Sequence, residues 1–246
     1  MDEYITGKHA VLEALRSGRT VNKIWIAENA NRHQIQPILE EAKKAGATIQ
    51  YVDKRKLDQM AGNIPHQGVV AQAAAYAYYE VEDLLEVAAE RKEPPFLVIL
   101  DEIEDPHNLG SILRTCDCAG AHGVIIPKRR SVGLTATVAK VSAGAIEYVR
   151  VARVTNITQT IKTLQEQGIW VIGTDARAEQ TVYELDLTMP IALVIGNEAK
   201  GMSRLVRETC DLLAKLPMYG HIHSLNASVA ASVFLYEAVR QRHAAR

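Results

Sequence analysis

Beyond Phe96 the chain alternates short, wholly apolar runs with longer stretches whose apolar residues recur at helical spacing. Runs such as FLVIL at 96–100 and IALVI at 191–195 read as strands buried on both faces. Further strands are expected at 123–126, 148–151, 170–173 and 212–216. Helices are expected at 109–119, 136–145, 157–167, 204–208 and 225–241. Strands alternating with helices in this way predict an α/β domain with a parallel sheet covered on both faces. Ahead of it, helical spacing at 7–17 and 32–44 is interleaved with strand patterns at 21–27, 48–52 and 69–75, and a short helix is expected at 54–60. Gly18 and Gly46 close the first two helices. This predicts a smaller α/β unit. Between the two, Tyr76-Ala77-Tyr78-Tyr79 leads into an acidic stretch that ends at Pro94-Pro95, which cannot continue a helix. The pattern divides the chain into a first domain at 1–75, a linker with a short helix at 76–95, and a second domain at 96–246.

Composition narrows the function classes. A 246-residue chain with 48% hydrophobic and 23% charged residues is ordinary globular material. Its formal net charge of -1 excludes a global polycation, so any nucleic-acid contact must come from local patches. Two such patches are Lys54-Arg55-Lys56 and Lys128-Arg129-Arg130. Cys116, Cys118 and Cys210 form no paired CxxC motif, so reduced thiols are expected and a zinc site is not. The polar start of the chain lacks a secretory apolar segment, and no apolar run is long enough to span a bilayer. The expectation is a soluble cytoplasmic protein without metal.

Three polar, glycine-bearing clusters follow expected strands. They span 105–114 (DPHNLGSILR), 195–201 (IGNEAKG) and 216–226 (LPMYGHIHSLN). Ligands of parallel α/β sheets bind outside the carboxyl ends of strands, so three such loops suggest one site. Each loop also has a plain structural explanation. Asn108 is a good helix N-cap, with Arg114 nearly two turns further along the same helix. Gly196 permits close backbone approach or a positive φ, with Glu198 and Lys200 beside it. Ser224 and Asn226 are both capping types ahead of the last helix. Several chemistries are disfavoured. Lys200 precedes Gly201, so the GK[ST] ending of a phosphate loop is missing, and no GxGxxG occurs. Ser224 lacks a GxSxG elbow, and His221 and His223 lack matched metal-ligand spacing.

Taken together, the clusters resemble the SpoU/TrmH family of RNA ribose 2′-O-methyltransferases in the SPOUT superfamily. Its first motif, N-x-G-x-x-x-R, is met by Asn108, Gly110 and Arg114. Its second, G-N-E-x-x-G, is met by Gly196, Asn197, Glu198 and Gly201. Its third, a proline-containing stretch leading to S-L-N-x-S-x-A, is met by Pro217, Ser224, Leu225, Asn226, Ser228 and Ala230. The resemblance covers 96 to the C-terminus. The N-terminal unit is similar to the family's small substrate-binding domain, which has a ribosomal-protein-like RNA-binding fold. Residues 128–135 and 140–145 resemble the branch that methylates a guanosine of 23S ribosomal RNA. The tRNA-directed branch shares all three motifs but typically lacks the N-terminal domain.

The resemblance implies a parallel-sheet domain with a C-terminal trefoil knot, a rare exception to the rule against knots. It implies methyl transfer from S-adenosylmethionine to a ribose 2′-hydroxyl, and a homodimer with the site near the subunit interface. Arg114 is implied nearest the hydroxyl, oriented with the ribose by Asn108, Glu198, Ser224 and Asn226. Cofactor contacts are implied for Thr174, Ile195, Gly196, Leu216 and Leu225. RNA contacts are expected from Lys54 and Arg55 and from Lys128, Arg129 and Arg130. A tRNA substrate is the second reading, and a non-catalytic RNA-binding or assembly factor is a third, against which the intact motif residues argue.

Overall fold

The computed structural model describes residues 2–62 and 64–244 and divides into two compact units. The first comprises Met1–Ala77 together with Gly133–Tyr148. Its elements are β1 (Asp2–Thr6), α1 (Lys8–Arg16), β2 (Val21–Ala27), α2 (Arg32–Ala45), β3 (Thr48–Val52), α3 (Lys54–Ala61) and β4 (Val69–Ala74). The sheet runs in the order β1-β4-β2-β3, with β2 and β3 parallel and β4 antiparallel to β1 and β2. Val11, Ile24, Ile26, Ile35, Ile38 and Val69 form its core. Asn31 caps α2 through His33 N, and Asp53 caps α3 through Arg55 N. Strand β1 escaped the sequence pattern because it is a five-residue edge strand paired only with β4.

Residues 133–148, expected within the second domain, pack with the first unit. They hold helix α6 (Ala136–Val141) and a 3-10 turn at Ala145–Glu147. The Glu147 carboxylate accepts from Ser17 Oγ, Arg19 Nη1 and Tyr76 Oη at 3.0–3.3 Å. In this Arg19–Glu147 pair the side chains are only 8% and 5% exposed. Removing one partner of such a buried pair leaves an uncompensated charge and costs about 3–5 kcal/mol. Gly144, at φ 96°, lies so close to Glu13 that an added Cβ would stand 2.4 Å from its Cβ. The strand expected at 148–151 starts at Val151 instead.

The second unit comprises Tyr78–Val132 and Val149–Arg246. Its six-stranded sheet is built from β5 (Phe96–Leu100), β6 (Gly123–Pro127), β7 (Val151–Val154), β8 (Trp170–Thr174), β9 (Ile191–Ile195) and β10 (Leu212–Ala214). The order is β10-β8-β9-β5-β6-β7 and every pairing is parallel. Helices α4 (Val81–Arg91), α5 (Pro106–Ala119), α7 (Ile157–Glu166), α8 (Arg204–Thr209) and α9 (Ala227–Ala244) complete it. β5 and β9 are buried at every position, as their unbroken apolar runs require. The expected linker helix is an integral part of this unit. Leu84 of α4 is fully buried over Gly123, where an added Cβ would meet it at 2.2 Å. Arg242 near the end of α9 donates to the carbonyls of Pro94, Pro95, Leu187 and Met189, tying the helix to the strand entrances.

Candidate active site

In the parallel sheet, β5 and β9 are neighbours, paired at their ends through Leu100 and Ile195. The chain runs from β5 outward to β6 and β7, then returns on the other side through β8 and β9. Such a reversal opens a crevice at the carboxyl ends of the diverging strands. The first and second clusters therefore leave the sheet side by side although they are distant in sequence.

Asp105, and not Asn108, caps α5: its Oδ1 accepts from His107 N at 2.9 Å, with Pro106 in the first turn. The cap falls three residues earlier than expected, which frees the Asn108 side chain inside the helix. Asn108 is buried; its Oδ1 accepts from Asn226 Nδ2 at 2.9 Å and its Nδ2 donates to Glu198 Oε1 at 3.4 Å. Asn226, and not Ser224, caps α9, accepting from Ser228 N at 3.0 Å and Val229 N at 3.4 Å. One chain of amides thus joins the three clusters. A buried amide left without a partner costs about 1–3 kcal/mol, so Asn108 holds its neighbours as firmly as they hold it.

The second cluster is a closed loop. Asn197 N donates to Gly201 O and Gly201 N to Asn197 O, while Asn197 Oδ1 accepts from Ala199 N and Lys200 N. Gly196 is required by close approach: an added Cβ would lie 2.4 Å from Met202 N and 2.5 Å from the Gly201 carbonyl carbon. Gly201 needs its left-handed φ of 71°. Asp101 and Asn197 brace the loop, through Asp101 Oδ2 accepting from Ser203 N at 2.6 Å and Asn197 Nδ2 donating to Glu102 O at 3.3 Å.

Beside this loop lies an open cleft. Thr174, Ile195, Gly196, Leu216 and Leu225 all line it, as do Glu198 and Ser224. Ala230 and Phe234 of α9 supply an apolar wall. Asp175 stands at the rim. Burial alone would raise its pKa, but the Arg207 guanidinium and the Arg177 backbone N–H hold it below the usual aspartate value.

Comparison with known proteins identifies the family. Residues 95–236 match the SpoU rRNA Methylase family, and residues 4–79 match the RNA 2′-O ribose methyltransferase substrate-binding domain. A Bacillus subtilis (strain 168) protein assigned to the TrmH family of tRNA/rRNA methyltransferases is 58% identical over 98% of this chain and 96% of its own. The chain belongs to the SpoU/TrmH family of RNA methyltransferases. Among solved structures, the SpoU methyltransferase AviRb from Streptomyces viridochromogenes superposes with a TM-score of 0.82, at 27% identity, over 100% of this chain and 91% of that one. Its complex with AdoMet superposes with a TM-score of 0.81, at 26% identity, over 99% and 91%. The A. aeolicus TrmH/SpoU tRNA modifying enzyme matches 67% of this chain and 84% of its own, at 30% identity and a TM-score of 0.57.

As a SpoU/TrmH methyltransferase, the protein uses S-adenosylmethionine. The cleft fits that molecule chemically. Apolar side chains and exposed loop backbone suit an adenine, and the Asp175 and Glu198 carboxylates suit hydroxyl and ammonium groups.

Most of the remaining expected residues lie outside the cleft lining. Arg114 is exposed on α5 and has no hydrogen-bond or ion-pair partner among the described residues, so it is not wired to Asn108 or Glu198. Ser224 does face the cleft, with its hydroxyl likewise unpartnered among the described residues. Lys54 and Arg55 sit exposed in the first turn of α3. Lys128 and Arg129 are exposed immediately after β6, and Arg130, at φ 56°, is exposed too and pairs with Glu102 at 3.1 Å. His223 lines the cleft, and no group of described residues could hold a metal. No helix among the described residues is long and apolar enough to cross a membrane. Sequence reasoning missed Asp101, Asp105 and Asp175. Only Asp105 carried a local signal, the Asp-Pro start of a helix; the roles of the other two depend on loops distant in sequence.

Proposed function

We propose that the enzyme methylates a ribose 2′-hydroxyl, that of a guanosine in 23S ribosomal RNA. The observation that carries this reading is the chain Glu198–Asn108–Asn226, which links the wall of the cofactor cleft to the helix bearing Arg114. S-adenosylmethionine supplies an electrophilic methyl group on its sulfonium. The protein must then hold a weakly acidic hydroxyl in line and lower the cost of losing its proton. A guanidinium stays protonated in proteins, so Arg114 acts by stabilising the developing alkoxide, and a phosphate of the substrate takes the proton. Glu198 and Ser224, at the edge of the cleft, bind and orient the ribose; Asn108 and Asn226 fix the loops that carry them. Arg114→Lys keeps the charge but loses the planar fork, and kcat is expected to fall at least about tenfold with little change in cofactor affinity.

The unpartnered Arg114 and the exposed apolar patch of Tyr183, Val229 and Tyr236 support a homodimer that covers this face. The convergence of residues from 195–201, 214–218 and 223–234 on one cleft supports the C-terminal trefoil knot that the family resemblance implies. The match to the SpoU rRNA Methylase family, with full-length similarity to a SpoU methyltransferase against partial similarity to a tRNA modifying enzyme, supports ribosomal RNA as substrate. The test is transfer of labelled methyl from the cofactor to 23S ribosomal RNA and tRNA transcripts, followed by mapping of the modified nucleotide. Label in a guanosine ribose of the ribosomal transcript is expected. Label confined to tRNA, label on a base, or no transfer by wild-type enzyme to either RNA would each overturn the reading.

A further inference from the structure

The first unit carries two hollows with a shared ridge. One, of about 640 Å³, is lined by Asn29, Asn31, Lys54, Asp58 and His66. The other, of about 600 Å³, is lined by His9, Leu12, His33, Pro37 and Ile38. Lys8 and Gln67 line both, so the two hollows adjoin along these side chains.

The ridge is built under constraint. Gln67 has φ 51°, a left-handed conformation unusual for a residue with a side chain, and Gly68 follows at φ 83°. Such strain persists where the surroundings over-determine it, and it gathers at ligand-binding sites. Here buried His66 imposes it. Its Nδ1 accepts from Gly68 N at 2.9 Å, so the ring proton is on Nε2, which donates to Asp58 Oδ1 at 2.9 Å. Lys8 is steadied by donating to Gln34 Oε1. Among the described residues, Asp58 is the only acidic one lining either hollow; it accepts from His66, and Lys8 and Lys54 outnumber it. What remains on offer is lysine, amide and imidazole, with apolar walls in the second hollow.

We infer that the two hollows hold two successive unpaired nucleotides of the RNA substrate, with Lys8 on the phosphate between them. This rests on the reading above that the substrate is RNA. Each hollow has the scale of a pocket for one small organic ligand. Imidazole and proline faces offer platforms for a base, and the Gln67 amide can pair with a base edge. A duplex cannot use such hollows, because its bases stay stacked inside the helix. The first unit therefore selects a single-stranded element and not a double-helical one.

The test uses the full chain and a fluorescein-labelled oligoribonucleotide, single-stranded or annealed to its complement. Anisotropy gives RNA affinity across a salt series, and calorimetry gives S-adenosylmethionine affinity. Wild type is expected to bind the single strand at least about tenfold more tightly than the duplex. Lys8→Ala should weaken single-strand binding and make the slope of log K against log salt shallower by about 0.7 for each phosphate no longer neutralised. Gln67→Gly removes the amide while relieving the left-handed strain, so it should keep the fold and still weaken RNA affinity at least about fivefold, near the low end for one base. Cofactor affinity should not change in either. Lys54→Ala, at an exposed position, is a second variant if Lys8→Ala lowers the melting temperature. Equal affinity for duplex and single strand, or folded variants that bind the single strand like wild type, would overturn the inference. Transfer to ribose by wild type is scored separately. Its absence, with RNA affinity still weakened in the variants, would defeat the methylation reading and leave the hollows as an RNA site.

Discussion

The cofactor cleft of the second unit and the paired hollows of the first are made by opposite means. The cleft is shaped by backbone packed too closely to admit a Cβ at Gly196 and by the bond between buried Asn108 and Asn226. The hollows are edged by exposed lysine, histidine and amide side chains around one strained turn at Gln67. The difference matches the ligands proposed for the two surfaces. A small cofactor is read by a preorganised surface with few alternatives, whereas a polyanion is drawn by flexible charges and recognised by stacking. Single substitutions in the cleft should therefore cost binding, catalysis or stability, and those in the hollows should cost RNA affinity alone.

The largest expected effect is at Arg114, which belongs to neither surface. Arg114→Ala should lower kcat by about 10²–10³, the scale for removing one group that stabilises developing charge. Cofactor and RNA affinities should hold, and steady-state kinetics with separate binding titrations check this. An effect confined to KM would make Arg114 another RNA-binding residue and break the proposed division of labour. Next comes Gly196→Ala, where the new methyl meets the Gly201–Met202 backbone. Overpacking of about 1–3 kcal/mol should lower the Tm, and the displaced loop should weaken S-adenosylmethionine binding at least about fivefold by calorimetry, with RNA anisotropy unchanged.

Asn226→Ala removes the α9 cap and leaves Asn108 Oδ1 without its donor. A destabilisation of about 1–3 kcal/mol is expected, at about 2–4 °C of Tm per kcal/mol. The matching change in a hollow, Lys54→Ala, should stay within about 0.5 kcal/mol. Similar Tm shifts for the two would show that the contrast in rigidity is wrong. The smallest effect is in acid. Burial works to raise the Asp175 pKa, but Arg207 and the Arg177 N–H prevail and its folded value is depressed. Its contribution to stability is therefore complete above the ordinary aspartate pKa of about 3.9 and is lost as pH falls through the folded value. Asp175→Asn should flatten the acid limb of a Tm-against-pH profile below about pH 4, and an unchanged limb would remove this rim pair from the account.

Much of this was legible in one dimension. FLVIL and IALVI could only be strands buried on both faces, and the matched strands alternate with helices as a parallel sheet demands. The motif residues were readable because glycine, asparagine and proline at fixed offsets carry their own backbone requirements. Local ambiguity defeated the rest. Asp105 and Asn108 are both capping types three residues apart, as are Ser224 and Asn226 two apart. Which one caps depends on whether a distant side chain claims the other, as Asn226 claims Asn108. Edge strand β1 lacks the alternation or length that would separate it from a polar terminus.

Sequence by itself determined the order of most elements, the family and the motif residues that mark it, since these are set by residue type and spacing. Only the tertiary structure decided that residues 133–148 pack with the first unit, through the buried Arg19–Glu147 pair. Only it showed that Asn108 holds loops together while Arg114 has no partner among the described residues, and that Arg130 pairs with Glu102. Hydrogen bonds and ion pairs between distant residues leave no trace in local periodicity, because they depend on which strands become neighbours in the sheet.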